Sequence, residues 1–311
     1  MHPALSVVFF TTATGAGYGL LALLGILSAG GALPESRWFG ALGLGLALLL
    51  ITAGLLSSTA HLTHPERAWR AFSQWRSSWL SREGVMSLAT YVPAAVLALG
   101  WLWFGRTDGA FAAAGVASAA FACATVLTTA MIYASLKPVA QWHSRYTVPG
   151  YLIYSMMSGA VILDLLLQAF GVAPAWFAAL VLLLLALGWG WKTATWRHND
   201  RSGIPVTLGS ATGLAGGEVR SVEWPHTEEN FVLKETGFRI ARKHSARLRT
   251  IVHVLAFAAP LALTAGVAIF GGIPGLAAAV LAVLSLAPGM LVERWLFFAE
   301  AKHTASLYYG R

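Results

Sequence analysis

Mostly apolar residues fill eight stretches of the chain, and the connections between them carry nearly all of its polar residues. A helix needs about 20 mostly apolar residues to cross the hydrocarbon core of a bilayer, and each stretch reaches that length. Three connections, GRTDG, GVAP and GGIPG, are short and contain Gly or Pro, which favour turns over helix. The pattern predicts an all-α protein, a single integral-membrane domain over residues 1–311 with eight transmembrane helices. The predicted spans are 5–30, 39–63, 85–104, 110–136, 149–171, 174–195, 249–271 and 275–298.

The composition agrees with a membrane protein and narrows its chemistry. Hydrophobic residues make up 57% of the 311 residues and charged residues only 11%, whereas a soluble domain carries about 25% charged residues. Cys123 is the single cysteine, which excludes a disulfide framework and any thiolate-ligated zinc or iron–sulfur cluster in this chain. Iron–sulfur chemistry would therefore have to lie on a partner. The N-terminal sequence MHPALSVVFF lacks a basic start and a cleavage site, so we interpret it as the first span.

The basic residues lie almost entirely on one side of the predicted membrane. We define side A as the side that holds both termini and the connections 64–84, 137–148 and 196–248. When each basic residue is assigned to its nearest connection, side A carries 19 of the 21 Lys and Arg residues, and side B has only Arg37 and Arg106. Because Lys and Arg near span ends are retained in the cytoplasm, side A and both termini are predicted to be cytoplasmic. The net charge of +8 then reflects topology and contact with anionic lipid headgroups, and we expect no nucleic-acid partner.

The connection 196–248 is the one segment with the composition of a soluble region. Its first part is rich in Gly, Ser, Thr and Pro, and the sequence EENFVLKETGFRIARKHSARLRTI that follows predicts a helix running into the seventh span. Acidic residues at the start of that helix and basic residues at its end suit the helix dipole. Long connections are usually functional, so we interpret this one as a cytoplasmic loop and helix to which a soluble subunit docks. The alternative is a solvated loop that contacts anionic lipids.

Residues 60–84, AHLTHPERAWRAFSQWRSSWLSREG, form an unusually polar connection between the second and third spans. Within 64–84, aromatic residues recur at roughly helical spacing with Arg between them, which predicts a helix in the membrane interface. Such a helix does not account for His61 at the end of the second span or for Glu83 at the mouth of the third. Ionisable groups at this depth are candidates for function. A His that hydrogen-bonds a quinone carbonyl and a Glu that relays protons to water would suit quinone chemistry, and we expect both to face one pocket.

The same segment resembles the membrane-anchor subunits of the dimethyl sulfoxide (DMSO) reductase family. That family shows a His-Leu-x-x-Pro-x-Arg-Ala-aromatic pattern followed by a Ser-x-Leu-Ser-x-Glu type of ending, and ERWLFF near the C-terminus is similar to its last-helix segment. By position, the resemblance implies a quinone site formed by His61, Arg67, Trp69 and Glu83, with His61 and Glu83 as the catalytic pair. Where the family often has Gly two residues after the His, this sequence has Thr63, which alters the expected shape of the pocket.

The resemblance also implies partners and a location. Anchors of this family hold an iron–sulfur subunit and a molybdopterin catalytic subunit at the bacterial inner membrane, exchange electrons with ubiquinone or menaquinone, and usually bind no haem. The insertion 196–248 is similar to that of a longer subgroup, which includes the anchors of membrane-bound sulfite dehydrogenases. With the quinone motif and the large connection both on side A, the partners are expected to dock there. A cytoplasmic side A favours sulfite oxidation with quinone reduction over the alternative, a reductase anchor that oxidises quinol.

Three interpretations from other classes compete with this one. A haem b held between His61 and His253 would need both imidazoles at one depth on facing helices; otherwise His253 is a packing or hydrogen-bonding residue. Asp164 in the fifth span is either the coupling acid of a proton-coupled transporter or a neutral acid in an interhelical hydrogen bond. A transporter of this kind would show two matched halves with interrupted helices, which the sequence does not contain. The third interpretation is a scaffold without redox chemistry.

Overall fold

Every spanning element of the computed structural model is a helix. Residues 4–59, 62, 64–172, 174–202, 206–214, 218–220, 222–223 and 239–309 are described. Within these ranges, eight helical segments are long and apolar enough to cross a membrane, which confirms the predicted all-α fold and the predicted number of spans. The α-helices are α1 (Leu5–Ala29), α2 (Arg37–Thr59), α3 (Trp79–Ala98), α4 (Gly109–Ala134), α5 (Thr147–Ala169), α6 (Ala175–Arg201), α7 (Leu208–Thr212), α8 (Arg239–Val252), α9 (Ala259–Phe270) and α10 (Gly272–Ala299).

Two spans contain short π-helical segments. Leu99–Phe104 extends α3 towards side B, and His253–Ala258 joins α8 to α9, so that the seventh span is His244–Phe270. Pro260 follows the second segment and has no N–H to donate to the carbonyl four residues earlier. A wider π turn accommodates the missing hydrogen bond without ending the span.

Helix α1 lies at the centre of the bundle and packs against α2, α4 and α5. Glycines permit this close packing. A Cβ atom on Gly19 would lie 1.9 Å from the carbonyl oxygen of Ser155 in α5, and a Cβ atom on Gly25 would lie 2.2 Å from the carbonyl oxygen of Gly115 in α4. Small residues at such crossings bring backbones together in membrane bundles, where lipid offers no hydrophobic driving force for association.

On side A, the connection between α4 and α5 is fixed to the C-terminal segment. Trp142 Nε1 donates a 2.9 Å hydrogen bond to the carbonyl of Phe297, and the amide of Thr304 donates to the carbonyl of Pro138 at 3.0 Å. The N-terminal end of the seventh span is anchored nearby, because Arg249 donates to Asp200 at 2.7 and 2.8 Å and to Glu300 at 2.8 Å. Hydrogen bonds on side A therefore join the α4–α5 connection, the end of α6 and the start of the seventh span to the C-terminal segment.

The long connection 196–248 is described only in part. Helix α6 continues into it as far as Arg201, the five-residue helix α7 is capped by Thr207, and α8 begins at Arg239. Residues 203–205, 215–217, 221 and 224–238 lie outside the described residues. A substantial part of the predicted docking surface therefore lies outside the described residues.

Candidate functional site

A cavity of about 520 Å³ lies at the side A end of α1 to α4. Its volume and its mainly apolar wall with a few polar groups are typical of a site for a small organic ligand. We call it the Glu83 cavity. It is lined by Val7, Phe10, Leu55, Ser58, Thr59, Leu62, His64, Arg67, Ala68, Ala71, Phe72, Leu80, Glu83, Gly84, Ser87, Leu88, Ile132 and Tyr133.

Glu83 is the buried acid of this cavity. It lies in the second turn of α3, because that helix begins at Trp79, and its side chain is 5% exposed. The hydroxyl of Thr129 on α4 donates a hydrogen bond to Oε1 of Glu83. A buried carboxyl group with one hydroxyl partner can hold or release a proton at the cavity wall, since a single neutral hydrogen bond does not fix it as a permanent anion.

The 3₁₀ helix Pro65–Gln74 covers the cavity on side A. Ser81 at the start of α3 donates a hydrogen bond to the carbonyl of Ala71, and Arg82 donates to the carbonyls of Trp75 and Arg76 at 3.0 and 2.7 Å. These contacts fold the polar segment back over the first turn of α3. As a result, Ser81 and Arg82 hold the cover in place, while the next residue, Glu83, points into the bundle.

Gly84 permits close contact between this cover and α3. A Cβ atom on Gly84 would lie 2.9 Å from Cε1 of Phe72, well inside ordinary van der Waals contact. Both residues line the cavity. The absence of a side chain at residue 84 therefore lets the Phe72 ring close the cavity above Glu83.

The other predicted site residues divide into those at the cavity and those elsewhere. Arg67 lines the cavity with a half-exposed guanidinium, next to His64, which hydrogen-bonds Glu66 at 3.0 Å. Trp69 is 66% exposed and has the guanidinium of Arg70 5.7 Å from its ring centre, so it faces away from the cavity lining.

His61 lies outside the described residues. The structure thus brings Glu83 and Arg67 to one cavity, and it adds His64, which the sequence analysis did not single out.

A second group of charged residues is buried between α6 and α10. Lys192 Nζ donates to Glu293 Oε1 at 2.5 Å, and Arg294 Nε lies 3.5 Å from Glu293 Oε2. All three side chains are at most 4% exposed. The cluster contains two cations and one carboxylate, and the ring of Tyr151 lies 4.1 Å from the guanidinium of Arg294, which provides a cation–π contact for the surplus charge.

Tyr133 connects the two sites. It lines the Glu83 cavity from α4, and its ring stacks on that of Tyr151 with centroids 5.9 Å apart. Tyr151 in turn packs against Arg294 of the ionic cluster. An unbroken aromatic contact therefore joins the wall of the cavity to the cluster.

His253 and Asp164, on which the haem and transporter interpretations depend, do not line the Glu83 cavity. His253 accepts a 2.8 Å hydrogen bond from Trp189 Nε1 on its Nδ1 atom and packs edge-on against Trp196. Asp164 is buried near the side B end of α5, away from the lining of the Glu83 cavity. These placements match the hydrogen-bonding interpretation of His253 and give Asp164 no contact with the cavity on side A.

Sequence reasoning overlooked the partners of the key charged groups. Glu293 and Arg294 begin the segment ERWLFF, and Lys192 was not discussed although that residue stands inside a predicted span. A lysine at that position was a usable signal, because ionisable residues within spans are costly and are usually paired. Thr129 had no such signal, since hydroxyl residues are common inside membrane helices and most of them bond to their own backbone.

Similarity to known proteins covers the whole chain. Residues 1–310 match the protein family described as DMSO reductase anchor subunit (DmsC). The chain is also 34% identical to a protein of Allochromatium vinosum that is named as a subunit of sulfite dehydrogenase, over 99% of this chain and 99% of that relative. Both matches extend over the residues that form the Glu83 cavity and the ionic cluster.

Proposed function

The chain belongs to the family of DMSO reductase anchor subunits, and on that premise we propose that it binds quinone as a substrate in the Glu83 cavity. It passes electrons between an iron–sulfur subunit docked on side A and the quinone pool of a bacterial inner membrane. A molybdopterin subunit performs the chemistry on the terminal substrate. The observation that carries the proposal is a buried carboxyl group on the wall of a cavity of about 520 Å³ at the membrane edge.

The cavity offers what quinone chemistry requires of a protein. Its apolar wall suits a ring and an isoprenoid tail, and Glu83 supplies a proton-exchanging group at one side of that wall. Arg67 and His64 stand at the side A end and can donate hydrogen bonds to a quinone oxygen. The resemblance assigns the same role to His61, which precedes them in the same connection.

Sulfite oxidation with quinone reduction is the direction we favour. The relative from Allochromatium vinosum is named as a subunit of sulfite dehydrogenase. The concentration of Lys and Arg on side A predicts a cytoplasmic face for the cavity and its cover, since basic residues near span ends are retained there. A cytoplasmic sulfite-oxidising complex fits that orientation, whereas an exported reductase would need its partners on side B.

Replacement of Glu83 by Gln in the assembled complex tests the quinone site. We expect substrate-driven reduction of a short-chain quinone to fall roughly 100-fold, because a positioned proton-transfer group contributes about that factor or more. Reduction of ferricyanide, which takes electrons from the iron–sulfur subunit without quinone, should be unchanged. Glu35→Gln is the matched control, because Glu35 is an exposed acid in the side B connection between α1 and α2. Unchanged quinone turnover in Glu83→Gln, with the complex intact, would favour a scaffold.

Replacement of the two neighbouring histidines separates their contributions. His61→Ala should lose quinone turnover if the residue assigned by resemblance binds the quinone oxygen. If the His64 imidazole binds the quinone oxygen instead, His64→Ala should lower quinone turnover more than His61→Ala does. Equal, near-native turnover in both variants would count against a histidine ligand.

Thiol labelling tests the orientation. In a Cys123→Ser background, we expect Ser36→Cys on side B to react with a membrane-impermeant reagent added to intact cells. Ser73→Cys, in the exposed part of the 3₁₀ helix on side A, should react only after the cells are opened. The reverse pattern would place the docking side in the periplasm and remove the argument for a cytoplasmic sulfite dehydrogenase.

A further inference from the structure

Three more cavities lie in sequence between side A and Glu83. A vestibule of about 450 Å³ is lined by Lys192, Asn199, Arg249, Glu300 and Lys302, among others. A middle cavity of about 20 Å³ and an inner cavity of the same size follow it into the bundle.

Each cavity shares wall residues with the next. The vestibule and the middle cavity share Lys192 and Thr195, and the middle and inner cavities share Tyr151 and Arg294. The inner cavity reaches Thr129, whose hydroxyl donates to Glu83. A series of neighbouring cavities thus lies between the side A surface and the wall of the Glu83 cavity.

Polar atoms that lack partners point to water in these spaces. The hydroxyls of Tyr18 and Tyr151, Oε2 of Glu293 and Nε of Arg294 are buried and form no hydrogen bond within the described part of the chain, although the last two atoms form an ion pair at 3.5 Å. Tyr18 lines the inner cavity, Glu293 lines the middle cavity, and the other two line both. A cavity of roughly 10–15 Å³ holds one water, and a buried water is stable when two to four polar groups bind it. Both small cavities meet these two requirements.

We propose that protons reach Glu83 from the side A vestibule through the Lys192–Glu293–Arg294 cluster and one water in each small cavity. The proposal rests on the quinone function assigned above. Reduction of one quinone takes two electrons from the iron–sulfur subunit and two protons, which form two O–H bonds. Glu83 gives one of these protons to the quinone oxygen that faces it and is reprotonated by the hydroxyl of Thr129, while the other quinone oxygen takes its proton from water at the exposed mouth of the cavity. The inner-cavity water replaces the Thr129 proton, and the middle-cavity water replaces the one that the inner-cavity water gave up. Lys192, which lines both the vestibule and the middle cavity, gives a proton to the middle-cavity water and takes one back from water in the vestibule.

The geometry of the cluster suits this role. Glu293 lines the middle cavity; its Oε1 is held by Lys192, while its Oε2 forms no hydrogen bond among the described residues and lies 3.5 Å from Arg294 Nε. The surplus positive charge of the cluster would repel a free hydronium ion, so the route works by exchange between fixed groups and single waters. Tyr151 lines both small cavities and has a buried hydroxyl without a described hydrogen bond, which can accept a hydrogen bond from one water and donate to the other.

The alternative entry point for the proton of Glu83 is the mouth of the Glu83 cavity, where Arg67 and His64 are exposed. Protons entering there would not pass Tyr151 or Glu293. Substitutions in the internal route therefore distinguish the two paths.

The test compares conservative changes on and off the route in the assembled complex. Tyr151→Phe removes only the hydroxyl of a residue that lines both small cavities, and Tyr91→Phe removes a hydroxyl that instead hydrogen-bonds Thr52 at 2.7 Å. Thr129→Val removes the hydroxyl next to Glu83, and Thr264→Val is its buried control on α9. The measurements are quinone reduction in H₂O and D₂O, and ferricyanide reduction as the proton-independent reference.

We expect Tyr151→Phe and Thr129→Val to lower the turnover number with quinone by roughly 10-fold or more and to increase its solvent isotope effect. The KM for quinone and the ferricyanide rate should stay at native values in these variants, and the two controls should match the native complex. Quinone turnover and isotope effect at native values in both route variants would overturn the route. If Glu83→Gln still abolished quinone reduction in that case, the quinone site would stand and protons would enter at the cavity mouth.

Discussion

The buried ionic cluster provides a prediction about stability that is independent of electron transfer. Glu293 neutralises one of two buried cations, Lys192 at 2.5 Å and Arg294 at 3.5 Å. Replacing Glu293 by Gln keeps the volume and a hydrogen-bond acceptor but leaves two positive charges in the interior. Lys192→Met, in contrast, leaves Glu293 and Arg294 as a balanced pair. We therefore expect Glu293→Gln to be the more destabilising substitution.

The magnitude follows from these distances. At an effective dielectric constant of about 20, the attraction is about 7 kcal/mol for the 2.5 Å pair and about 5 kcal/mol for the 3.5 Å pair. Burial of each ion costs several kcal/mol, which offsets much of this attraction in the native protein. Removing one partner leaves the other charge uncompensated, and such changes typically cost about 3–5 kcal/mol. We expect Glu293→Gln to fall in that range.

A double-mutant cycle measures the coupling. In the Lys192→Met/Glu293→Gln variant only one buried cation is left, so its loss of stability should be smaller than the sum of the single losses by about 1–3 kcal/mol. Thermal unfolding of the detergent-purified chain can be followed with a thiol-reactive fluorophore, because Cys123 is the single cysteine and is partly buried. Strictly additive losses, or a Glu293→Gln variant as stable as the native chain, would refute a charge-coupled cluster.

Three further predictions concern the Glu83 cavity and the haem alternative. Gly84→Val should raise the KM for quinone and leave ferricyanide reduction unchanged, because its Cβ would displace Phe72 into the cavity. An unchanged KM would contradict the interpretation that the 3₁₀ helix covers the quinone site. Arg67→Ala should weaken binding of a short-chain quinone several-fold, whereas Arg70→Ala, outside the cavity lining, should not; equal effects would indicate a general electrostatic role. A reduced-minus-oxidised visible spectrum of the purified chain should show no haem bands, and bands lost on His253→Ala would establish the haem b alternative.

The third span begins earlier in the structure than the sequence predicted. The apolar pattern predicts a start at residue 85, but α3 begins at Trp79, more than one and a half turns earlier. Ser81, Arg82 and Glu83 were assigned to the connection because they are polar. In the structure their hydrogen-bonding groups are bound by the 3₁₀ helix, the residues that follow it and Thr129, which stabilises them in a helix at the membrane edge.

Composition and periodicity determined the class of this protein. Eight apolar stretches of spanning length leave no alternative to a membrane helix bundle, because backbone groups in lipid must be satisfied within the segment. The same sequence singled out Glu83, since an ionisable residue beside a span is costly enough to stand out. Its likeness to the anchor family indicated Arg67 as well.

Only the tertiary structure decided which groups meet. Lys192 and Glu293 are 101 residues apart, and Glu83 and Thr129 are 46 apart. Helices of a membrane bundle have nearly uniform apolar surfaces, so no sequence period shows which face turns towards which neighbour. Side-chain packing at glycine crossings and polar pairing set those rotations, and they alone brought a cavity, a carboxyl group and an ionic cluster into contact.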